Sequence, residues 1–309
     1  MNIIIIVTTQ RIEIETLHKK IHKLQFCDLY LAAENWVSNF ASLFSGTLPS
    51  HHGVWNENQS LGMHTVSFPK ILAGEGYNSL FFGNDQYHLI AHKMGFQKVS
   101  NKSPFSNGDK SSHFPASDQS NFIFWRHEND DLPLNNLILN NNIIEHSLVC
   151  ILSLSAKKYN KNAENHGLDH RSPFLNEIRV PIWIVNGPKH KQKAKTLLSI
   201  VDIFPIVLDF LKIKRPYPII GKRHRNSTMY EHTDGSKTVL IMNGQDEFKI
   251  TVFHNQEHGE IYNIIKDPEE LHNLWDEPSF KSQKADFLLQ FLWAQLDKEV
   301  MPMPRIAGA

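Results

Sequence analysis

The apolar positions of this chain follow two patterns. Up to about Pro218, short continuous apolar runs alternate with stretches in which apolar residues recur every three or four positions. The first pattern is typical of parallel strands buried on both faces, and the second of amphipathic helices. The predicted strands are Ile3–Val7, Asp28–Ala32, Ser79–Phe82, Phe122–Trp125, Ser147–Leu152 and Ile182–Asn186, and the predicted helices are Glu15–Leu24, Ser67–Gly74, Leu134–Ile144 and Leu198–Leu211. This alternation predicts an α/β fold with a mainly parallel central sheet flanked by helices.

From Gly221 onward the pattern changes. Short runs joined by Asn-Gly and His-Gly turns predict antiparallel hairpins, and a helix with apolar positions spaced for one buried face follows. These hairpin strands are Lys237–Met242, Phe248–Phe253 and Glu260–Ile264, and the helix is Lys281–Leu296. We therefore predict an α/β core at residues 1–218 and a small antiparallel α+β subdomain at residues 219–309. Residues 101–120, rich in Ser, Asn, Lys and Gly, are predicted to form a loop.

Composition excludes several classes of partner. Lys plus Arg and Asp plus Glu both number 32, so the net charge does not favour nucleic acid or an anionic membrane. The apolar run Met1–Val7 has no basic flank and is too short for a signal-peptide core or a membrane span. Cys27 and Cys150 each lie in an apolar run. We therefore expect two buried free thiols in a reducing compartment rather than a disulfide. We therefore expect a soluble, cytoplasmic protein.

The segment Phe26–Val54 carries a specific motif. Ala41–Gly46, Pro49 and His52–Val54 resemble, without a gap, the nucleophile segment of the sulfatase family, in which Cys-x-Pro-x-Arg precedes Ala-Ser-Leu-Leu-Thr-Gly, Pro and His-Gly-Val. Further segments resemble family motifs in the family's order, and they are Phe68–Tyr77, His166–Pro181, Val201–Asp209 and Glu260–Leu274. The resemblance implies the alkaline-phosphatase-like fold of a shortened member, with residues missing around 101–131. In the family, calcium and a formylglycine nucleophile support sulfuric ester hydrolysis.

At the family's catalytic positions this chain carries other residues. In register, Trp36 stands at the nucleophile and Phe40 at the arginine of the same motif. The remaining altered positions are Thr9, Gln10, Leu154 and Ser155 for the metal ligands, and Asn84 and His170 for two lysines, with His170 placed across a one-residue deletion. Indole and phenyl groups cannot act as nucleophiles, and leucine cannot bind a cation.

These losses predict a protein without catalytic residues, metal or cofactor. We expect a sulfatase-like protein that has lost ester hydrolysis and has a binding or regulatory role. The former polar pocket would be filled or made apolar by Trp36 and Phe40. The partner is unknown, and a second copy of the chain or an active sulfatase relative are both open.

The alternative is a hydrolase of sulfate or phosphate esters with a rebuilt site containing His52, His88, His166 or His170. His88 and His92, like His166 and His170, are four residues apart, which on a helix places two imidazoles on one face. Neither pair has the glutamate of a His-Glu-x-x-His motif, so we expect structural roles, with His52 packing a turn. Ser38 is expected to cap a helix rather than to replace the nucleophile.

Overall fold

The computed structural model describes residues 1–8, 24–61, 65–101, 120–127, 145–154, 172–187, 197–215 and 226–299. The predicted helix Leu134–Ile144 lies outside the described residues, as do nearly all of Glu15–Leu24 and of the predicted loop at 101–120. The predicted boundary between residues 218 and 219 also lies outside them, and it stays a prediction.

The central sheet has seven strands in the order β2-β7-β6-β1-β5-β3-β4. Its strands are β1 (Asn2–Thr8), β2 (Leu24–Tyr30), β3 (Asn78–Phe82), β4 (Lys98–Ser100), β5 (Asn121–His127), β6 (Ser147–Leu152) and β7 (Arg179–Val185). Only β7 runs antiparallel to its two neighbours, so the predicted mainly parallel sheet is confirmed. The isoleucines of β1, the central strand, are almost fully buried, as is typical of a strand covered on both faces. The short strand β4 was not predicted, since three residues carry too little pattern.

The helices of this part are α1 (Trp36–Ser45), α2 (Pro49–His52), α3 (Phe68–Gly74), α4 (His88–Lys93), α5 (Leu175–Ile178) and α6 (Ile200–Leu211). Helix α1 begins after Asn35, whose side chain accepts a hydrogen bond from Ser38 N, and ends at Gly46 with φ of 65°. Every residue of α1 after Trp36 is buried, including the polar Ser38, Asn39, Ser42 and Ser45. Hydrophobic periodicity did not predict this helix.

The second sheet is antiparallel and has four strands in the order β11-β10-β9-β8. Its strands are β8 (Ser227–Glu231), β9 (Lys237–Asn243), β10 (Asp246–Val252) and β11 (Gly259–Asn263). The predicted hairpins are confirmed, and β8 adds a strand that was not predicted. Helix α7 (Lys281–Glu299) packs Phe287 against Phe248, with ring centroids 4.6 Å apart.

Buried polar contacts join the two sheets. Tyr30 at the end of β2 donates to Glu247 Oε1 of β10 at 2.7 Å. Glu231 of β8, almost fully buried, accepts from both the backbone N (2.8 Å) and the hydroxyl (2.9 Å) of Ser50. Each contact removes polar groups from water and satisfies them, which fixes the second sheet against the first.

The C-terminal motif residues form a further part of this joint. Glu270 pairs with Lys249 in a fully buried ion pair and accepts from Leu175 N at the start of α5 at 2.6 Å. Ser172 donates to Glu260 and accepts from Lys249 Nζ at 3.0 Å. The motif that resembled the family's C-terminal signature therefore connects the second sheet to the segment before β7.

The two cysteines are free thiols, Cys150 buried and Cys27 partly buried. They lie on β6 and β2, on opposite sides of β7, opposite Ile184 and Ile182. Two strand spacings place their Cα atoms roughly 10 Å apart, beyond the reach of a disulfide. Burial raises the pKa of Cys27 to about 11 and that of Cys150 to about 12. Among the described residues, no helix is long and apolar enough to cross a membrane.

Candidate functional site

The carboxyl ends of β1, β3, β5 and β6 meet at one edge of the central sheet, where ligands bind in open α/β folds. The structure describes four of the predicted site positions, which are Trp36, Phe40, Asn84 and Leu154. The others lie outside the described residues, and they are Thr9, Gln10, Ser155 and His170, together with His166 of the alternative site.

Asn39 of α1 fixes the backbone around this edge. Its Oδ1 accepts from Ala32 N (2.9 Å) and Ala33 N (3.1 Å), in the loop between β2 and α1. Its Nδ2 donates to Ala33 O at 2.8 Å and to Leu154 O at 3.2 Å. The side chain is fully buried, so these hydrogen bonds are shielded from water. Asn39 therefore holds the start of α1 next to the segment that follows β6.

Trp36, at the nucleophile position, lies against an aromatic ring and a cation. Its ring centroid is 4.4 Å from that of Tyr87, and the two planes meet at 78°. The guanidinium carbon of Arg126, near the end of β5, is 4.4 Å from the Trp36 ring and 3.8 Å from the Tyr87 ring. These distances place Arg126 in the corner between two nearly perpendicular rings, within cation–π range of both. Trp36 and Arg126 are partly buried, and Tyr87 is buried.

Phe40, at the position of the motif's arginine, belongs to the aromatic core. Its exposed fraction is 0%, and its ring lies 4.8 Å from Phe44, 5.1 Å from Phe124 and 6.1 Å from Phe81 between centroids. All three pairs meet edge to face, the geometry that aromatic quadrupoles favour. A cation at this position would have no water around it.

Leu154 and Asn84 lack the charges that the resemblance assigns to their positions. The side chain of Leu154 is buried, with 2% exposed, and does not fit a calcium ligand. Asn84 follows Gly83 at the end of β3 and is exposed. Among the described residues, no group of three or more His, Cys, Asp or Glu side chains is arranged to hold a metal ion.

His52 and Ser42 form a buried pair that resembles a nucleophile and its base. Ser42 Oγ lies 3.0 Å from His52 Nε2. However, Val54 N donates to His52 Nδ1 at 3.0 Å, so Nδ1 is the acceptor and Nε2 carries the proton. His52 therefore donates to Ser42 and cannot take its proton. Burial lowers the pKa of His52 to about 3, which keeps the ring neutral. His52 packs the turn after α2, as predicted.

The remaining candidates also have structural surroundings. His88 Nε2 lies 3.0 Å from Gly83 O, and its Nδ1 lies 3.6 Å from Asp85. His92, one turn further along α4, is exposed. The expectation that Ser38 caps the helix is wrong, because Asn35 is the cap and Ser38 is a buried residue inside α1.

Solved structures share this architecture over nearly the whole chain. A protein solved in complex with its substrate D-glucosamine-2-N,6-O-disulfate has a TM-score of 0.71 at 12% identity, and the match covers 96% of this chain and 98% of that chain. A phosphonate monoester hydrolase from Silicibacter pomeroyi has a TM-score of 0.70 at 10% identity, with coverage of 96% and 95%. A 2-O GAG sulfatase has a TM-score of 0.67 at 13% identity, with coverage of 96% and 92%.

The chain has the alkaline-phosphatase-like fold of the sulfatases. No protein-family model matches the sequence, and no curated protein is significantly similar to it. At these identities the likeness concerns the sulfatase fold alone, because function depends on the residues of the site.

Arg126 is the site residue that sequence reasoning missed. It belongs to no motif of the resemblance, and it follows directly on the predicted strand Phe122–Trp125. A charged residue at the carboxyl end of a buried strand was the available signal, since such ends line the ligand edge of an α/β sheet.

Proposed function

We propose that this protein is a pseudoenzyme of the sulfatase fold that binds a ligand at the carboxyl edge of its central sheet without hydrolysing it. The observation that carries this proposal is Trp36, which stands at the nucleophile position with its indole packed against Tyr87 and Arg126. An indole has no lone pair available for attack on sulfur or phosphorus, and it cannot be converted to formylglycine.

The neighbouring positions support the same conclusion. Phe40 lies in the aromatic core and Leu154 is buried, so the arginine and one metal ligand of the family have been replaced by apolar side chains. Transition-state stabilisation in ester hydrolysis depends on cations that face the departing oxygens. With apolar groups at these two positions, the edge lacks groups that the family's reaction requires.

The alternative hydrolase would use a rebuilt histidine site. His52 donates to Ser42 and is neutral, and His88 lies against Gly83 O. His52 is therefore not placed as a base, which supports the binding proposal rather than the alternative, whereas Nδ1 of His88 lies 3.6 Å from Asp85. His166 and His170, the other members of that predicted site, lie outside the described residues.

An assay of ester hydrolysis tests the proposal. The protein is incubated with para-nitrophenyl sulfate and para-nitrophenyl phosphate, each with calcium, magnesium, zinc or a chelator, and released nitrophenol is followed. We expect no release above that of buffer with any metal. Metal-dependent release that is lost in His88→Gln would overturn the proposal in favour of a rebuilt histidine site.

A further inference from the structure

Helix α7 has two apolar faces. Its inner face packs against the second sheet, where Phe287 is buried and contacts Phe248 of β10. On its other face four large apolar side chains are exposed, with exposed fractions of 43% for Leu289, 50% for Leu292, 56% for Trp293 and 42% for Leu296. Together with the exposed Ala285, these residues form the outer stripe of α7. A surface helix ordinarily carries polar residues on this face.

The outer stripe has the spacing of a seam between two helices. Ala285, Leu289, Leu292 and Leu296 follow one another at intervals of four, three and four residues, which places them in one line along α7, and Trp293 flanks that line. Apolar residues at this spacing insert into the holes of a facing helix. We propose that α7 pairs in antiparallel fashion with α7 of a second copy of this chain, so that the protein is a homodimer with a twofold axis at the outer stripe.

The size of the outer stripe matches what a stable dimer needs. About half of the surface of its four large side chains is exposed, which amounts to roughly 350 Å² and is the size of patch that marks an interaction site. A standard interface buries about 800 Å² per partner, of which a little over half is apolar. The outer stripe therefore supplies most of the apolar area of such an interface. Polar residues beside it, Asp286 and Gln290, supply part of the rim.

The two ends of α7 differ in charge, which favours the antiparallel direction. The first turn contains Lys281 and Lys284 and no acidic residue, whereas the last turn contains Asp297 and Glu299 beside Lys298. An antiparallel pair brings the basic end of one helix next to the acidic end of the other, and it also opposes the two helix dipoles. A parallel pair would place like charges side by side.

The sizes of the side chains favour the same direction. With the twofold axis between positions 290 and 291, Leu289 lies opposite Leu292 of the other copy, and Ala285 lies opposite Leu296. A small residue then faces a large one at each end of the seam, and two leucine pairs fill its centre. The outer stripe is therefore complementary to itself, as a twofold interface requires.

Sedimentation equilibrium of the full chain tests this inference over about 1 to 200 µM, since the dissociation of a dimer depends on protomer concentration. We expect a mass of twice the 35.6 kDa of one chain, falling towards one chain on dilution. Leu292→Glu should weaken dimerisation at least about 100-fold, because the twofold axis introduces two charges into the seam. Leu89→Glu is the matched control, since Leu89 is also exposed but lies on α4, and it should leave dimerisation within about twofold.

Cysteine cross-linking tests the direction of the pair. An oxidised mixture of Ala285→Cys and Leu296→Cys should yield a disulfide between one copy of each variant. Ala285→Cys alone should yield none, because the two copies of position 285 lie roughly 16 Å apart along an antiparallel pair. A disulfide between two copies of Ala285→Cys would contradict the antiparallel arrangement.

The inference is overturned if the chain is monomeric at every concentration, or if Leu292→Glu dimerises as tightly as the unaltered chain. A monomer that sediments with phosphatidylcholine vesicles would assign the outer stripe to a membrane surface instead. A monomer whose thermal unfolding temperature is lowered by Leu292→Glu but not by Leu89→Glu would show that the outer stripe is covered within one chain, and this too would overturn the inference.

Discussion

Replacing Phe40 by arginine restores the residue that the sulfatase nucleophile motif carries at this position, and the structure predicts a large loss of stability. Phe40 has no exposed surface and makes edge-to-face contacts with Phe44, Phe81 and Phe124. Losing such contacts in Phe40→Leu should cost about 1.5–3 kcal/mol. Phe40→Arg adds the burial of an unpaired charge, so its cost should exceed about 5 kcal/mol, a large part of the total stability of a typical domain.

The assay is urea unfolding followed by circular dichroism on the unaltered chain and three variants. Phe40→Leu measures the loss of aromatic packing alone. Leu89→Arg places the same new charge on a side chain that is 62% exposed, and it should change the free energy of unfolding by less than about 0.5 kcal/mol. Phe40→Arg should either unfold at far lower urea or give no cooperative transition. If it is within about 1 kcal/mol of Phe40→Leu, the position is open to solvent and the former pocket has not been filled.

Four further predictions follow from the buried groups. Because the pKa of His52 is lowered to about 3 in the folded chain, the unfolded chain binds more protons between roughly pH 3 and 6.5. The free energy of unfolding should therefore rise with pH through this window. The NMR resonance of His52 in the folded chain should not titrate above about pH 5. Lys249→Met leaves Glu270 buried without its cation and should cost about 3–5 kcal/mol in chemical unfolding. Much of this should be recovered when Glu270→Gln is added, and equal stability of the single and double variants would contradict the ion pair. Since burial raises the pKa of both thiols, an aromatic disulfide reagent should modify Cys27 and Cys150 slowly in the folded chain and rapidly after unfolding. A protein mass that shows a disulfide between the two cysteines would contradict the assignment of free thiols. The triple change Thr9→Asp, Gln10→Asp and Trp36→Cys should not create sulfatase activity on para-nitrophenyl sulfate, because Phe40 and Leu154 remain apolar.

The strands that the sequence predicted best are buried along nearly their whole length. The continuous apolar run Ile3–Val7 became β1 at the centre of the sheet, and Ser147–Leu152 became β6 with the predicted bounds. Helix α1 is buried on every side after Trp36, and it was not predicted from periodicity. Its place next to the candidate site was predicted only through the resemblance of Ala41–Gly46, and the assignment of Trp36 and Phe40 to former catalytic positions stays a prediction.

The contacts that sequence could not predict depend on residues far apart in the chain. Arg126 meets Trp36 and Tyr87 only because β5 lies beside β3 and near the start of α1. The pairing of Lys249 with Glu270 likewise depends on how the second sheet packs against α5. A single sequence carries no signal for such partners, since each side chain alone is equally typical of a solvated surface.

The most direct test of the account is the fate of a bound ester. The protein is incubated for several days with an equimolar amount of phenyl sulfate or, separately, of phenyl phosphate. The protein is then denatured, and the released ligand is identified by mass spectrometry. The account predicts that the ester is recovered intact in full. Recovery of phenol with free sulfate or phosphate, beyond the amount formed in buffer, would contradict it.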